Sequence, residues 1–189
     1  MAKTFEGIDE KLGGFLADQP VFFVATAPSG TEGHVNLSPK GVAGTFTVLD
    51  PQTVAYLDIT GSGIETVAHL RDNGRIVLMF CAFAGPPRIV RLHGRGTVVL
   101  PGDGDWDELA ARFPPQPGTR SVIKVVLDRV SDSCGFGVPL MTYENERGQL
   151  ADWADRKTGE ELAEYRARKN ATSIDGLPGL PGGRGVSPR

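Results

Sequence analysis

Residues 56–66 read Tyr56-Leu57-Asp58-Ile59-Thr60-Gly61-Ser62-Gly63-Ile64-Glu65-Thr66. A β-prone run passes into a glycine-containing turn, and apolar residues then recur at Ile64, Val67, Ala68 and Leu70 with helical spacing. The segment is therefore a strand that turns straight into a helix, which closes near Asn73-Gly74. Such a junction can hold a phosphate. Glycine lets backbone amides approach a ligand closely, and the first helical turn carries unpaired N–H groups at the positive end of the helix dipole. The hydroxyls of Thr60, Ser62 and Thr66 add hydrogen-bonding groups for phosphate oxygens. A competing reading needs no ligand. Ser62 followed three residues later by Glu65 is the pattern of a capping box, which satisfies the helix start internally, and Glu65 would repel an anion unless it points away.

Outward from this junction the pattern is mostly β. Upstream, Ile8–Ala17 has apolar residues at helical spacing, and Val21–Ala27 is a buried-strand run. His34–Ser38 alternates, and Pro39 is expected to stop its ladder, because proline has no amide hydrogen to share. Thr45–Leu49 and Thr53–Thr60 are strands parted by the turn Asp50-Pro51-Gln52. Downstream, Arg75–Phe83 and Arg88–Leu100 are the clearest strands, Asp103–Phe113 is a short helix, and Ser121–Ser131 is the last strand. A final helix covers Gln149–Lys169, with an interruption at Thr158-Gly159. Six or seven strands and three or four helices, without a repeating strand-helix-strand order, exclude a doubly wound parallel sheet and favour an antiparallel barrel with peripheral helices.

Composition agrees. The 189 residues suit one domain. Gly 25 and Pro 14 are roughly a fifth of the chain, which points to many tight turns but falls short of low complexity. A net charge of −3 argues against a nucleic-acid partner. No stretch approaches a membrane span, and the first ten residues lack the apolar core of a signal peptide, so a cytoplasmic protein is expected. Cys81 and Cys134 are too few and too far apart for a disulfide framework or a zinc site, and no histidine has companions at metal-ligand spacing.

Two further segments carry chemistry. In Val35-Asn36-Leu37-Ser38-Pro39-Lys40, strand parity places Asn36, Ser38 and Lys40 on one face, a polar strip suited to an anionic or hydrogen-bonding ligand or to water. In Arg88–Arg95, Ile89, Arg91, His93 and Arg95 share a face, opposite Arg88, Val90 and Leu92. No nucleophile motif is present, and no catalytic side chain is assigned. Cys81 reads as a buried strand residue, Cys134 as an accessible loop residue, and Trp106 and Trp153 as packing residues on helices.

Taken in order, these segments resemble the pyridoxamine 5′-phosphate oxidase-like, FMN-binding split-barrel family. The likeness is strongest over Thr53–Gly96, where the Thr60-Gly61-Ser62-Gly63 turn, a helix ending in Leu70-Arg71-Asp72-Asn73-Gly74-Arg75 and two strands follow in the family's order. The resemblance implies a mainly β (α+β) fold, a six-stranded antiparallel split β-barrel with peripheral helices over residues 1–180; the Gly- and Pro-rich residues 181–189 read as a mobile tail. The resemblance also implies a homodimer holding FMN between its subunits, with a small-molecule substrate or electron donor and neither nucleic acid nor membrane as partner. By that likeness Ser38 and Lys40 line the flavin ring, Asp58 and Thr60 contact the ring or ribityl chain, and Gly61, Ser62 and Thr66 meet the phosphate with help from Arg88. Asn170 and Ser173, in Lys169–Pro178, belong to a segment that closes over the partner's cofactor. The chain carries Ile64, Glu65 and Thr66 where the oxidase proper has basic residues, and Ile89 where it has glutamine. The likeness therefore extends to fold and cofactor and not to pyridoxamine phosphate as substrate.

The implied activity is an FMN-dependent oxidoreductase of unknown substrate, in which the flavin carries the redox chemistry. Two alternatives stay open. One is a deazaflavin-dependent reductase, whose longer anionic tail would suit Arg91 and Arg95. The other is a flavin- or haem-binding module that stores or senses its ligand.

Overall fold

A computed structural model describes residues 3–181; within the tail expected over 181–189, residues 182–189 lie outside the described ones. The chain begins with strand β1 (Lys3–Phe5) and helix α1 (Glu10–Ala17). Asp9 caps α1, its carboxylate accepting from the Leu12 amide at 2.7 Å, and the helix buries Leu12 and Leu16 against the sheet. Strands β2 (Phe22–Thr26), β3 (Asn36–Lys40), β4 (Phe46–Asp50) and β5 (Thr53–Ile59) follow, then α2 (Glu65–Asp72), β6 (Arg75–Cys81) and β7 (Ile89–Val99). The rest comprises α3 (Trp106–Ala110), β8 (Thr119–Ser133), α4 (Gln149–Asp155) and α5 (Gly159–Lys169).

The eight described strands form one antiparallel sheet in the order β3-β2-β6-β7-β8-β5-β4, with β1 added along β8. The expected fold class holds, with two strands more than the six the resemblance implied; one of them is β1, which is too short and polar to read as a strand. The sheet does not close by pairing, yet it curls until its two ends meet. Phe22 of β2 and Phe46 of β4 lie 5.5 Å apart between ring centroids, and Phe80 joins both at 5.1 and 5.0 Å. This aromatic cluster fills the interior beneath the split, where each fully buried large side chain contributes about 1.5–3 kcal/mol. The Tyr56 hydroxyl is buried there with no hydrogen-bond partner among the described residues.

Two local expectations are corrected. Pro39 does not end its strand: it pairs with Phe23 inside β3. As the outermost strand of the order, β3 has no neighbour to miss the absent amide hydrogen. Ser62 does not cap α2; that cap position is Ile64, with no side-chain cap bond. The capping box sits instead at Thr158 and Glu161, where it starts α5 and explains the break expected at Thr158-Gly159. No helix among the described residues is long and apolar enough to cross a membrane.

Candidate functional site

The split brings the ends of the sheet order into contact through charge as well as through rings. On β3 the strand parity holds: Asn36, Ser38 and Lys40 face inward while Leu37 and Pro39 face out. Lys40 reaches across the split, its Nζ donating to Asp58 Oδ1 on β5 at 3.2 Å. Asp58 is fully buried. Its other oxygen accepts from Arg120 Nε at 2.6 Å and from the Ser121 hydroxyl at 3.2 Å, both on β8. Burial alone would raise the Asp58 carboxyl, but the charges of Arg120 and Lys40 outweigh it and hold the group below its usual 3.8. Burial also leaves the Tyr56 hydroxyl a weaker acid than usual, with Asp58 adding to the effect.

Arg120 ties this carboxylate to the end of the chain. Its guanidinium donates to Asn170 Oδ1 at 2.9 Å, and the Asn170 amide donates to the Gly61 carbonyl at 2.9 Å and the Ser62 carbonyl at 3.4 Å. Beyond α5 the chain thus hooks back onto the turn that follows β5, with a bridge between Thr172 and Pro178 and Gly179 packed against Ile64. Arg166 on α5 donates to the Thr60 hydroxyl at 2.9 Å and to the Gly118 and Thr119 carbonyls at 3.3 and 3.1 Å. The Thr60 hydroxyl in turn donates to Gly118 O at 2.6 Å.

A second polar chain runs beside the first. Ser38 donates to Asn36 Oδ1 at 2.9 Å, and the Asn36 amide donates to Thr66 and Thr26 at 3.0 and 3.1 Å. Thr26 Oγ1 lies 2.9 Å from His69 Nδ1. Burial pulls the His69 imidazole below its ordinary 6.5, and its Nε2 has no partner among the described residues. The Glu65 carboxylate accepts from the Ile64 amide at 3.0 Å and from the Ile174 amide of the hook at 3.3 Å. One N–H at the start of α2 is thereby engaged by the chain itself.

Next to Lys40 opens a groove of about 1080 Å³, walled by Phe15, Phe23, Phe46, Phe83 and Tyr143 and by the loop Gly41–Gly44. The stretch Met141–Glu146 crosses it and is pinned at both ends: the Met141 amide donates to Phe83 O at 2.9 Å, and Glu146 accepts from the Ala43 amide at 2.7 Å. A half-open, largely apolar cleft with one cation on its wall is the usual form of a site for a planar organic ligand. Lys40 is the charged group joining this cleft to the buried network.

The candidate residues divide. Lys40, Asp58, Gly61, Ser62 and Asn170 meet in one network, Thr60 is held beside it by Arg166 and Gly118, and Ser38 and Thr66 meet in the adjoining chain. Ser173 is used inside the hook, its hydroxyl accepting from the Leu177 amide at 3.1 Å. Arg88 is not brought to the turn within one chain. Its guanidinium pairs with Asp132 at 3.0 Å and covers the Phe15 ring at 4.9 Å, behind the groove wall. Arg91 and Arg95 donate to Ser133 and to the Asn73 carbonyl, and neither lines the groove. Arg120 and Arg166 were missed, because their partners Asp58 and Thr60 lie 62 and 106 residues away and no local spacing marks them. Cys81 is buried and Cys134 exposed, as expected, and the described residues hold no group that could bind a metal ion.

The family model described as pyridoxamine 5′-phosphate oxidase matches residues 8–134. The chain is 41% identical over 192 aligned positions to the pyridoxamine 5′-phosphate oxidase family protein ustO of Aspergillus flavus, covering 93% of this chain and 77% of that protein. Among solved structures, a variant of HupZ from Group A Streptococcus superposes with a TM-score of 0.51 at 20% identity, over 67% of this chain and 99% of that one. A looser likeness, with a TM-score of 0.46 at 14% identity, is to the FAD binding protein of Mycobacterium smegmatis, over 68% of this chain and 97% of that one.

Proposed function

The chain belongs to the pyridoxamine 5′-phosphate oxidase family, and from that membership we propose that it is a flavin-dependent oxidoreductase holding FMN beside Lys40. The observation that carries this is the aromatic-walled groove of about 1080 Å³ with Lys40 at its edge. Its size and lining suit a flat tricyclic ring, and the Lys40 ammonium, which donates only to Asp58 among the described residues, has hydrogens to spare for the ring's polar rim. The donor set fits the ring side. At the turn it fits a phosphate less simply, because Glu65 engages the Ile64 amide.

When bound, the flavin would accept and return a hydride or electrons. This chain's residues orient and tune it. Lys40 places a positive charge beside the ring, and Asp58 with Arg120 keeps that lysine in position. Ser38, its proton donated to Asn36, offers lone pairs to the ligand. Asp58, Thr60, Gly61, Ser62 and Thr66 lie toward the ribityl and phosphate end, and Asn170 and Ser173 shape the hook that covers the turn. The substrate is a small molecule that can share the groove. Val35 just before β3 and Leu37 on it, with Phe136 and Leu140 further on, are large apolar side chains exposed in the single chain, and we place the second subunit of a homodimer against them. Free Cys81 and Cys134 suit a reducing, cytoplasmic compartment.

Mass spectrometry of the ligand released from native protein tests the assignment. FMN, with flavin absorption bands and reduction by NADH or NADPH in stopped flow, is the expected result. A flavin that no donor reduces would favour a carrier, and a Soret band would favour haem. Colourless protein that fails to take up added FMN would remove the proposal.

A further inference from the structure

We infer that His69 is a positioning residue: through Thr26 and Asn36, its protonation state decides whether the Ser38 hydroxyl accepts a hydrogen bond from the bound ligand or donates one to it. The inference deepens the flavin reading and rests on it for the identity of that ligand.

A chain of three hydrogen bonds runs from His69 on α2 to Ser38 on β3. Its direction follows from counting hydrogens. The Asn36 amide gives its two to Thr26 at 3.1 Å and Thr66 at 3.0 Å, and its carbonyl oxygen takes the Ser38 proton at 2.9 Å. The Thr26 hydroxyl keeps its own hydrogen, and its other side-chain partner among the described residues is His69 Nδ1 at 2.9 Å. Nδ1 accepts that hydrogen, which places the ring proton on Nε2. Ser38 then has lone pairs for a ligand and no proton.

An imidazolium cannot accept at Nδ1. With a proton there, Nδ1 donates to Thr26, whose own hydrogen needs another acceptor. Turning the Asn36 amide over supplies one: its carbonyl oxygen accepts from Thr26 and Thr66, and its NH2 group donates to the Ser38 oxygen. The two ends of an amide occupy nearly the same space, so no backbone shift is required. Every bond keeps its partners and reverses its direction. Ser38 is left with a free hydrogen for the ligand. By reciprocity, a ligand atom that needs a donor there strengthens the hold of His69 on its second proton.

His69 is placed for this control. It is fully buried, and its Nε2 has no partner among the described residues. Burial favours the neutral ring, while the carboxylates of Asp175 on the hook and of Glu65 and Asp72 on α2 favour the charged one. Of the strands packed against α2, β2 carries no ionisable residue, and Arg75 of β6 and Arg95 of β7 donate to oxygens of Pro28 and Asn73. Burial prevails, so the reversal comes below the ordinary 6.5.

Side-chain nitrogen NMR on the intact, ligand-free protein is the first test, with His69→Gln assigning the signal among the three histidines. At about pH 8 His69 should carry its proton on Nε2 and none on Nδ1. On acidification both nitrogens should become protonated, and the Asn36 amide resonances should move with the same midpoint. Thr26→Val, which removes the hydroxyl and keeps the branched shape, should leave the His69 titration and abolish the Asn36 response. In the FMN-loaded protein the flavin absorption bands should shift with that midpoint, and Ser38→Ala should lose the band shift while His69 still titrates. A neutral His69 protonated on Nδ1, or Asn36 resonances that ignore its titration, overturns the inference. So does a band shift that survives in Ser38→Ala. A purely structural His69 would lower the melting temperature of His69→Gln and leave the wild-type bands unmoved by pH, which also overturns it while the flavin reading stands. If FMN does not bind, that reading fails and the NMR decides: a coupled titration of His69 and Asn36 sustains the link, and an uncoupled one removes it.

Discussion

Asp58 is where residue-scale chemistry concentrates. It is the carboxylate on which two strand-borne cations converge, and it tolerates full burial only because both are there. Removing it is therefore a different operation from removing Lys40. Asp58→Ala would leave Lys40 and Arg120 facing each other unneutralised and should lower unfolding free energy by about 3–5 kcal/mol, read from urea denaturation. Lys40→Met leaves the Arg120 pair intact and swaps a side chain that is 21% exposed for an apolar one, so its stability cost should stay below about 1.5 kcal/mol while flavin affinity falls. Equal stability losses in the two variants would mean that Lys40 serves the fold rather than the ligand. Lys40 and Ser38 were legible from strand parity, since alternation in one short segment decides which side chains share a face. Arg120 was not, because its part depends on a register between β5 and β8 that its neighbours in sequence do not encode.

At the scale of elements, β7 and β8 form the longest ladder, running from Ile89 opposite Ser133 to Val99 opposite Val122, with a register shift at His93-Gly94. At Gly94 the backbone of β8 comes close against β7. A β-carbon there would collide with the Val126 carbonyl oxygen, with Leu127 Cα at 3.0 Å. Gly94→Ala should therefore destabilise by about 1–3 kcal/mol, seen as a fall of several degrees in melting temperature. An unchanged melting temperature would show that the bulge relaxes freely. Most elements could be read from periodicity: apolar runs flanked by turn residues located β2, β5, β6, β7 and α2. The errors came where context outranks pattern. Pro39 sits comfortably inside β3 because that strand is outermost, and Ser62 does not cap α2 because the helix starts two residues later, with Ile64 at the cap position and its amide taken by the Glu65 carboxylate.

For the molecule as a whole, folding buries two titratable groups whose shifts act in separate pH windows. His69 has its folded pKa pushed below 6.5 by burial, so the unfolded chain takes up the proton first. Its contribution is complete above that value and is lost as pH falls beneath it. Asp58, held below 3.8 by Arg120 and Lys40 despite burial, contributes above 3.8 and loses that contribution only in stronger acid. Urea midpoints measured from about pH 8 to about pH 3 should fall in two stages. His69→Gln should abolish the first and keep the second. A flat profile down to about pH 4 would contradict the burial of a neutral His69.

Local pattern was enough for the β-rich class, the strand-turn-helix junction and the polar face of β3, because hydrophobic period and turn chemistry act over a few residues. The pairing of Asp58 with cations from β3 and β8, the hook that returns Asn170 to the turn, and the groove between β3, α1 and the Met141–Glu146 stretch come from contacts between distant parts of the chain. Each arises when the sheet curls and its ends meet at the split, an outcome of collective packing that no single segment carries.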